Sequence, residues 1–347
     1  MKFLRLAFYV LIAQLVLSGC AGEGVEETSS LSSEINFDAY LGRNASTRAG
    51  VTDIASLKKS GFGVFARYKH NGATSPLMDN EYVTWNEKEN RWGYTNTRYW
   101  PNEGSVDFYA FAPYLENVEL VNAPDSIKDN PTCIEFTSST SPVDLVWDVQ
   151  KNKTVPTSST NSKVKFQFKH ALARLGFDIT ANPKLELEEN GAVIKVEEVK
   201  LYGYSEDIGA FDIKGYLNLE NGGWSRPKDN TRVVYTWTPT GLENGTSFKL
   251  SASQLDHTCK KIENAPNSYL CIIPQEKWNP FYLQITYTVQ QGAFFQEEVT
   301  VKKNLLDISK PFKFEKGKAY VFHLKLSLDP IDFSISTTVE GFGSGEQ

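Results

Sequence analysis

Cysteine, histidine and methionine are scarce in this chain: 4 Cys, 4 His and 2 Met among 347 residues. No CxxC or His-rich spacing suggests a metal site. No GxSxG, HExxH, P-loop or dinucleotide fingerprint occurs either, so no catalytic residue and no cofactor is implied. Carboxylate pairs such as Glu188-Glu189 and Glu297-Glu298 stand in polar surroundings. A glycosidase needs only two carboxylates placed by the fold, which a sequence alone does not exclude, but the reading is of a non-enzyme. A basic cluster is missing too: 36 Lys plus Arg stand against 42 Asp plus Glu, which argues against nucleic acid as a partner. Beyond the N-terminus there is no second long apolar stretch, so lipid is the expected membrane attachment.

At the N-terminus Lys2 and Arg5 precede an apolar run, Leu6 to Leu17, interrupted by Gln14. The run is shorter than the ~20 residues a membrane-spanning helix needs and reads as part of a signal peptide, residues 1–19. It ends in Leu17-Ser18-Gly19-Cys20, a lipobox, where small residues give a peptidase access to the bond before a lipidated cysteine. Cys20 is the expected lipidation site; the alternative is an ordinary secretory signal ending near Ala21. Residues 20–33, acidic and Ser-rich, read as a flexible tether. Without Lys2 and Arg5 the mature chain has 34 basic and 42 acidic residues, a net charge of −8.

Periodicity along the rest is two. Val164, Phe166 and Phe168 alternate with Lys165, Gln167 and Lys169; Tyr320 to Leu328 and Phe281 to Val289 repeat the pattern. Each puts its apolar residues on one face of a half-buried strand. Turn signals such as Asn221-Gly222-Gly223, Asn244-Gly245 and Gln291-Gly292 fall between, and no segment carries a long helical stripe. An all-β chain of sandwiches is predicted. With 40% hydrophobic and 13% aromatic residues the core material suits two domains better than one. Pro183 closes a strand and a charged stretch follows, so a seam at Asn182-Pro183 divides an N-terminal domain, 34–183, from a C-terminal domain, 184–347, with a C-terminal arm.

Five stretches resemble the fimbrillin-like (Mfa-like) family, type V pilus subunit lipoproteins of anaerobic Gram-negative bacteria of gut and mouth. They are Ile35-Asn36-Phe37 leading to Thr47-Arg48-Ala49; Tyr99-Trp100-Pro101 with Val106 to Pro113; Phe168 to Leu175; Ile272-Ile273-Pro274-Gln275; and Gly317-Lys318-Ala319-Tyr320. Together they cover roughly residues 34 to 335, in order, behind a lipobox. The resemblance implies two tandem transthyretin-like β-sandwich domains, lipoprotein export and assembly by strand exchange. Read from the residues alone, these stretches are mostly scaffold. Trp100 is a core residue, Gln275 satisfies neighbouring backbone, and His170 is an edge or cap residue with no nucleophile near it in sequence.

Glu34 to Tyr40 is expected to be the first strand, with Ile35, Phe37 and Ala39 inward. The following loop carries Arg43 and Arg48. The resemblance points to a cut there by an arginine-specific protease, displacing the first strand; the alternative is a plain loop. Near the C-terminus Phe333, Ile335 and Thr337 alternate with polar residues beyond Pro330, which suits a strand donated to a neighbour. In that reading Thr338 to Gln347 is an irregular arm. The competing reading pairs Ile331 to Val339 permanently within the second sandwich. Cys259 and Cys271 can close a loop as a disulfide or stay apart as thiols. The expected partners are other fimbrial subunits, the protease, the membrane through the lipid anchor, and a host or bacterial surface ligand. The expected location is the outer membrane or cell surface. The alternative function is an outer-membrane glycan-binding lipoprotein, with Trp85, Trp92, Trp100, Trp224 and Trp278 near turns as stacking platforms.

Overall fold

Strands form almost wherever apolar and polar residues alternate, because a pleated backbone sends successive side chains to opposite faces. The structure is a computed structural model and describes residues 34–41, 54–124, 131–138, 143–157, 163–181, 192–228, 230–237, 248–251, 270–291, 295–326 and 334–341. In chain order the first strands are β1 (Asn36–Leu41), β2 (Phe62–His70), β3 (Ala73–Asn86), β4 (Arg91–Gly93), β5 (Ser105–Ala112), β6 (Cys133–Thr137), β7 (Val146–Lys153) and β8 (Lys163–His170). A helix, α1 (Ile54–Ser60), lies between β1 and β2. Then come β9 (Ala173–Ala181), β10 (Ala192–Tyr202), β11 (Phe211–Asp212), β12 (Lys214–Asn218), β13 (Trp224–Ser225), β14 (Arg232–Val233), β15 (Tyr235–Trp237) and β16 (Phe248–Ser251). The last are β17 (Leu270–Ile272), β18 (Gln275–Lys277), β19 (Tyr282–Gln291), β20 (Phe295–Asn304), β21 (Phe312–Phe314), β22 (Lys318–Leu326) and β23 (Ser334–Gly341). The all-β class read from the sequence is the observed one.

The N-terminal part is a seven-stranded sheet in the order β1-β8-β7-β5-β2-β3-β4. Its two edge strands, β1 and β4, lie against each other, so the sheet wraps around its own core of Phe37, Phe62, Trp92, Phe108 and Phe166. Strand β5 is buried on both faces: Val106, Phe108 and Ala110 point into that core, while Tyr109 and Phe111 point to the opposite side. Between β7 and β8 the ladder is short, Val146↔His170 and Trp147↔Lys169. Beyond it the Asp148 carboxylate accepts the Gln167 backbone N–H at 2.8 Å, so a side chain supplies the acceptor.

The C-terminal core lies between two sheets, β15-β10-β19-β20 with β16 on β10, and β17-β9-β22-β23. Ile194, Val196, Ile285 and Tyr287 come from the first sheet; Leu175, Phe322 and Leu324 come from the second. The chain passes from the N-terminal sheet to this one at Ala171-Leu172, since β8 and β9 belong to different sheets. The Asn182-Pro183 seam lies outside the described residues. A third core, with Phe111, Trp147, Leu172, Leu217 and Ile273, joins the two parts. Over it β6 from the first part pairs with β12, which pairs with β13.

Two local stops follow from glycine. Gly61, at φ +64, closes α1, and its N–H donates to the Leu57 carbonyl at 2.9 Å. The expected turn at Asn221-Gly222-Gly223 joins β12 to β13; Gly222 has φ +67 and the Trp147 ring covers it, which leaves no room for a Cβ. Helix α1 had no sequence signal, because Leu57 is its one buried residue. The C-terminal strand also runs further than the sequence suggested: Thr338 to Gly341 continue β23 rather than belonging to an irregular arm. Its ladder with β22 extends to Lys318↔Gly341, which explains the added order.

Candidate subunit-joining strands

Strand β1 is built like a plug. Ile35, Phe37 and Ala39 are 1%, 2% and 3% exposed, as the alternation predicts. The strand runs parallel to β8 with Phe37 opposite Val164 and Ala39 opposite Phe166. The Phe37 ring sits among four aromatics, with centroids at 5.4 Å from Tyr94, 5.7 Å from Phe166, 6.0 Å from Phe108 and 6.3 Å from Phe62. On the side away from β8, the Ile35 N–H donates to the Arg98 carbonyl at 2.8 Å. The Tyr94 hydroxyl donates to the Ile35 carbonyl at 2.7 Å and accepts the Arg98 N–H at 3.2 Å. Burial holds the Tyr94 phenol above its ordinary pKa, which keeps it a donor. The outer face is polar: the Tyr40 hydroxyl donates to Asp38 at 2.8 Å, and that bond raises the Tyr40 pKa.

Past β1 the chain next appears in α1, where Leu57 enters the same core and the Lys58 ammonium lies 3.6 Å from the Trp85 ring centre. Arg43 and Arg48 fall between these elements and, like Cys20, lie outside the described residues.

At the other end β23 is the edge strand of its sheet, antiparallel to β22 with Leu324↔Ile335 and Phe322↔Thr337. Ile335 packs against the C-terminal core, and Val339 is 50% exposed. Phe333 lies outside the described residues. Among the described residues the strand is thus paired in its own sheet, with β22 on one side.

The remaining sequence candidates resolve into scaffold. Of the edge and cap roles, His170 has the second: it ends β8, an inner strand, and is buried, with Nδ1 2.7 Å from Asp144 Oδ2, at the point where the chain changes sheets. Burial raises the Asp144 pKa against the pull of His170 and Arg174. The pair spans elements that sequence distance hides, so its signal was confined to an aspartate among apolar neighbours. Gln275 satisfies backbone as expected, donating to the Ile273 carbonyl at 2.9 Å and accepting the Asp212 N–H at 3.2 Å. Cys271 is buried, and burial pushes its thiol well up; Cys259, its candidate partner, lies outside the described residues. Of the five tryptophans considered as sugar platforms, Trp92 and Trp100 are core, and Trp85 and Trp224 pack against cores. Trp278, 61% exposed, is the one with an open face.

A charged cluster that the sequence did not signal surrounds Asp212, whose carboxylate takes Arg226 at 2.8 Å and Arg232 at 2.7 Å. Nearby Lys277 is buried, donates to the Ala210 carbonyl, and has its pKa lowered to about 8 by burial and the two arginines.

Residues 47–341 match the sequence pattern of a family described as fimbrillin-like. The chain belongs to the fimbrillin-like family. This fimbrillin-like chain is 24% identical over 372 residues to "Fimbrium subunit Fim1C" of Phocaeicola vulgatus, covering 96% of this chain and 95% of that one. In fold it is similar to the crystal structure of a fimbrial protein from Bacteroides vulgatus, with TM-score 0.66 and 23% identity over 89% of this chain and 99% of that one. It is similar also to a candidate cell adhesion protein from Bacteroides uniformis, with TM-score 0.52 and 16% identity over 89% and 99% of the two chains.

Proposed function

We propose that this fimbrillin-like chain is a structural subunit of surface fimbriae, exported as a lipoprotein on Cys20 and joined to its neighbours by strand exchange. The observation that carries the reading is β1: an edge strand with a fully apolar inner face, followed by a segment holding Arg43 and Arg48. Ile35 and Phe37 each contribute roughly 1.5 to 3 kcal/mol by burial, so the uncut strand keeps its groove closed. A cut after Arg43 or Arg48 makes that strand a separate peptide, held by one ladder and the Tyr94 and Arg98 contacts. Its loss leaves unpaired N–H and C=O groups beside an apolar groove, a state that accepts an incoming strand. The C-terminal segment with Phe333, Ile335 and Thr337 is the donor in this reading. The relative named as a fimbrium subunit supports the assignment by likeness.

The test is the double variant Arg43→Ala with Arg48→Ala. Maturation by an arginine-specific protease and assembly are both expected to stop; unchanged processing and assembly would overturn the proteolytic step.

A further inference from the structure

The three-stranded sheet β6-β12-β13 has two faces with different duties. Its inner face, with Ile134, Phe136 and Leu217, covers the core that joins the two parts. On its outer face Glu135 stands opposite Tyr216, and there opens a cleft of about 500 Å³, within the size range of small-molecule sites. Glu135 and Tyr216 line it together with Val121 and Pro124 from one chain segment and Pro227 and Lys228 from another. Both segments are fastened. Val121 exchanges two backbone bonds with Cys133, at 2.8 and 3.0 Å. Pro227 and Lys228 follow Arg226, which bonds Asp212 at 2.8 Å, and precede Asn230, whose amide accepts the Lys214 N–H at 3.1 Å and donates to the Lys214 carbonyl at 2.6 Å. The cleft is therefore preformed, and its proline rings are apolar walls with no N–H to satisfy.

Its polar side centres on one carboxylate. Lys214 Nζ lies 2.9 Å from Glu135 Oε1, and the Tyr216 phenol hydrogen-bonds the same group, which raises the phenol's pKa. The Lys214 bond holds the Glu135 carboxyl below its ordinary pKa, so it is ionised at neutral pH. An ionised carboxylate has about four lone-pair positions, which leaves acceptor capacity for the hydroxyls of a ligand. Lys214 is engaged by Glu135, and Lys228 has a contact of its own. A wholly apolar ligand would strip water from Glu135 without replacing it, and an anionic one would meet its charge. A phenol ring beside an ionised acceptor, between apolar walls, suits a molecule with an apolar C–H face and a rim of hydroxyl donors.

We infer that this cleft binds a neutral pyranose sugar, its ring stacked on Tyr216 and its hydroxyls donating to Glu135. The site uses neither β1 nor β23, so binding needs no assembly.

The test titrates the full-length protein, by calorimetry or ligand-observed NMR, with lactose, isomaltose and methyl α-mannoside, and with N-acetylneuraminic acid and a polyproline peptide as competitors of other chemistry. Saturable binding of at least one neutral sugar is expected. It should be lost in Tyr216→Ala, weakened about tenfold in Glu135→Gln, and unchanged in Trp278→Ala, which removes the exposed tryptophan between β18 and β19. Glu135→Gln keeps the shape of the cleft and carries the test if Tyr216→Ala does not fold. Lactose binding points to host-type glycans and isomaltose binding to bacterial glucans, methyl α-mannoside being common to both; each supports the inference. Unchanged affinity in Glu135→Gln or in folded Tyr216→Ala, or a loss with Trp278→Ala, overturns it by placing the sugar elsewhere. Binding of none of the neutral sugars, or of the acid or the peptide in their place, overturns it as well.

Discussion

At the residue scale, the side chains that hold β1 in its groove are hydrophobic, and the buried charges serve the scaffold. Phe37 draws its worth from the rings around it, since offset and edge-on aromatic pairs add to simple burial. His170 and Asp144 instead fix the place where one sheet hands the chain to the next. Lys277 provides a measurable signature of the fold. Its folded pKa, about 8, lies below the ordinary 10.5, so the unfolded chain binds the extra proton between those values. Stability therefore rises with pH across that window as the folded form is relieved of its buried charge. Tyr109, Tyr202 and Tyr235, held at about 12, act oppositely above pH 10. The comparison belongs between pH 8 and 10, by urea unfolding. There the wild type is expected to gain stability relative to Lys277→Met, on the order of 2 kcal/mol. Parallel curves for the two proteins would show that Lys277 is charged in the folded chain.

At the element scale, β1 is held by one ladder with β8 and by the Tyr94 and Arg98 contacts on its other side. Tyr94→Phe deletes a hydrogen bond to a backbone carbonyl and keeps the ring against Phe37, so it is expected to loosen β1 by about 1 kcal/mol. Hydrogen exchange at the amides of Asn36 to Leu41 reads this directly. Faster exchange there with β19 unchanged is the expected outcome; equal exchange throughout would mean that Tyr94 does not clamp the strand. Strands of this kind were legible in the sequence, because one-sided burial demands alternation: β8 is buried at every second residue, and β1 and β22 nearly so. Less legible were the short pieces β11 to β15, of two to five residues, too brief to carry a period. Helix α1 was hidden because Leu57 is its one buried residue. The Phe37 seat could be guessed as inward, but the identity of its walls, Tyr94 and Phe62 among them, depends on a curled sheet that brings β4 to β1.

At the scale of the whole molecule, the two parts are coupled through the core under β6, β12 and β13. Strands β1 and β23 sit at the edges of different sheets, which is the placement the proposed strand exchange uses. Joining through the C-terminal strand is tested by comparing protease-cleaved full-length protein with a chain truncated after Asp329, using electron microscopy and denaturing gels of unboiled samples. Fibres or ladders are expected from the full-length protein and not from the truncated one; equal abundance from both would contradict the donor role of the C-terminal strand.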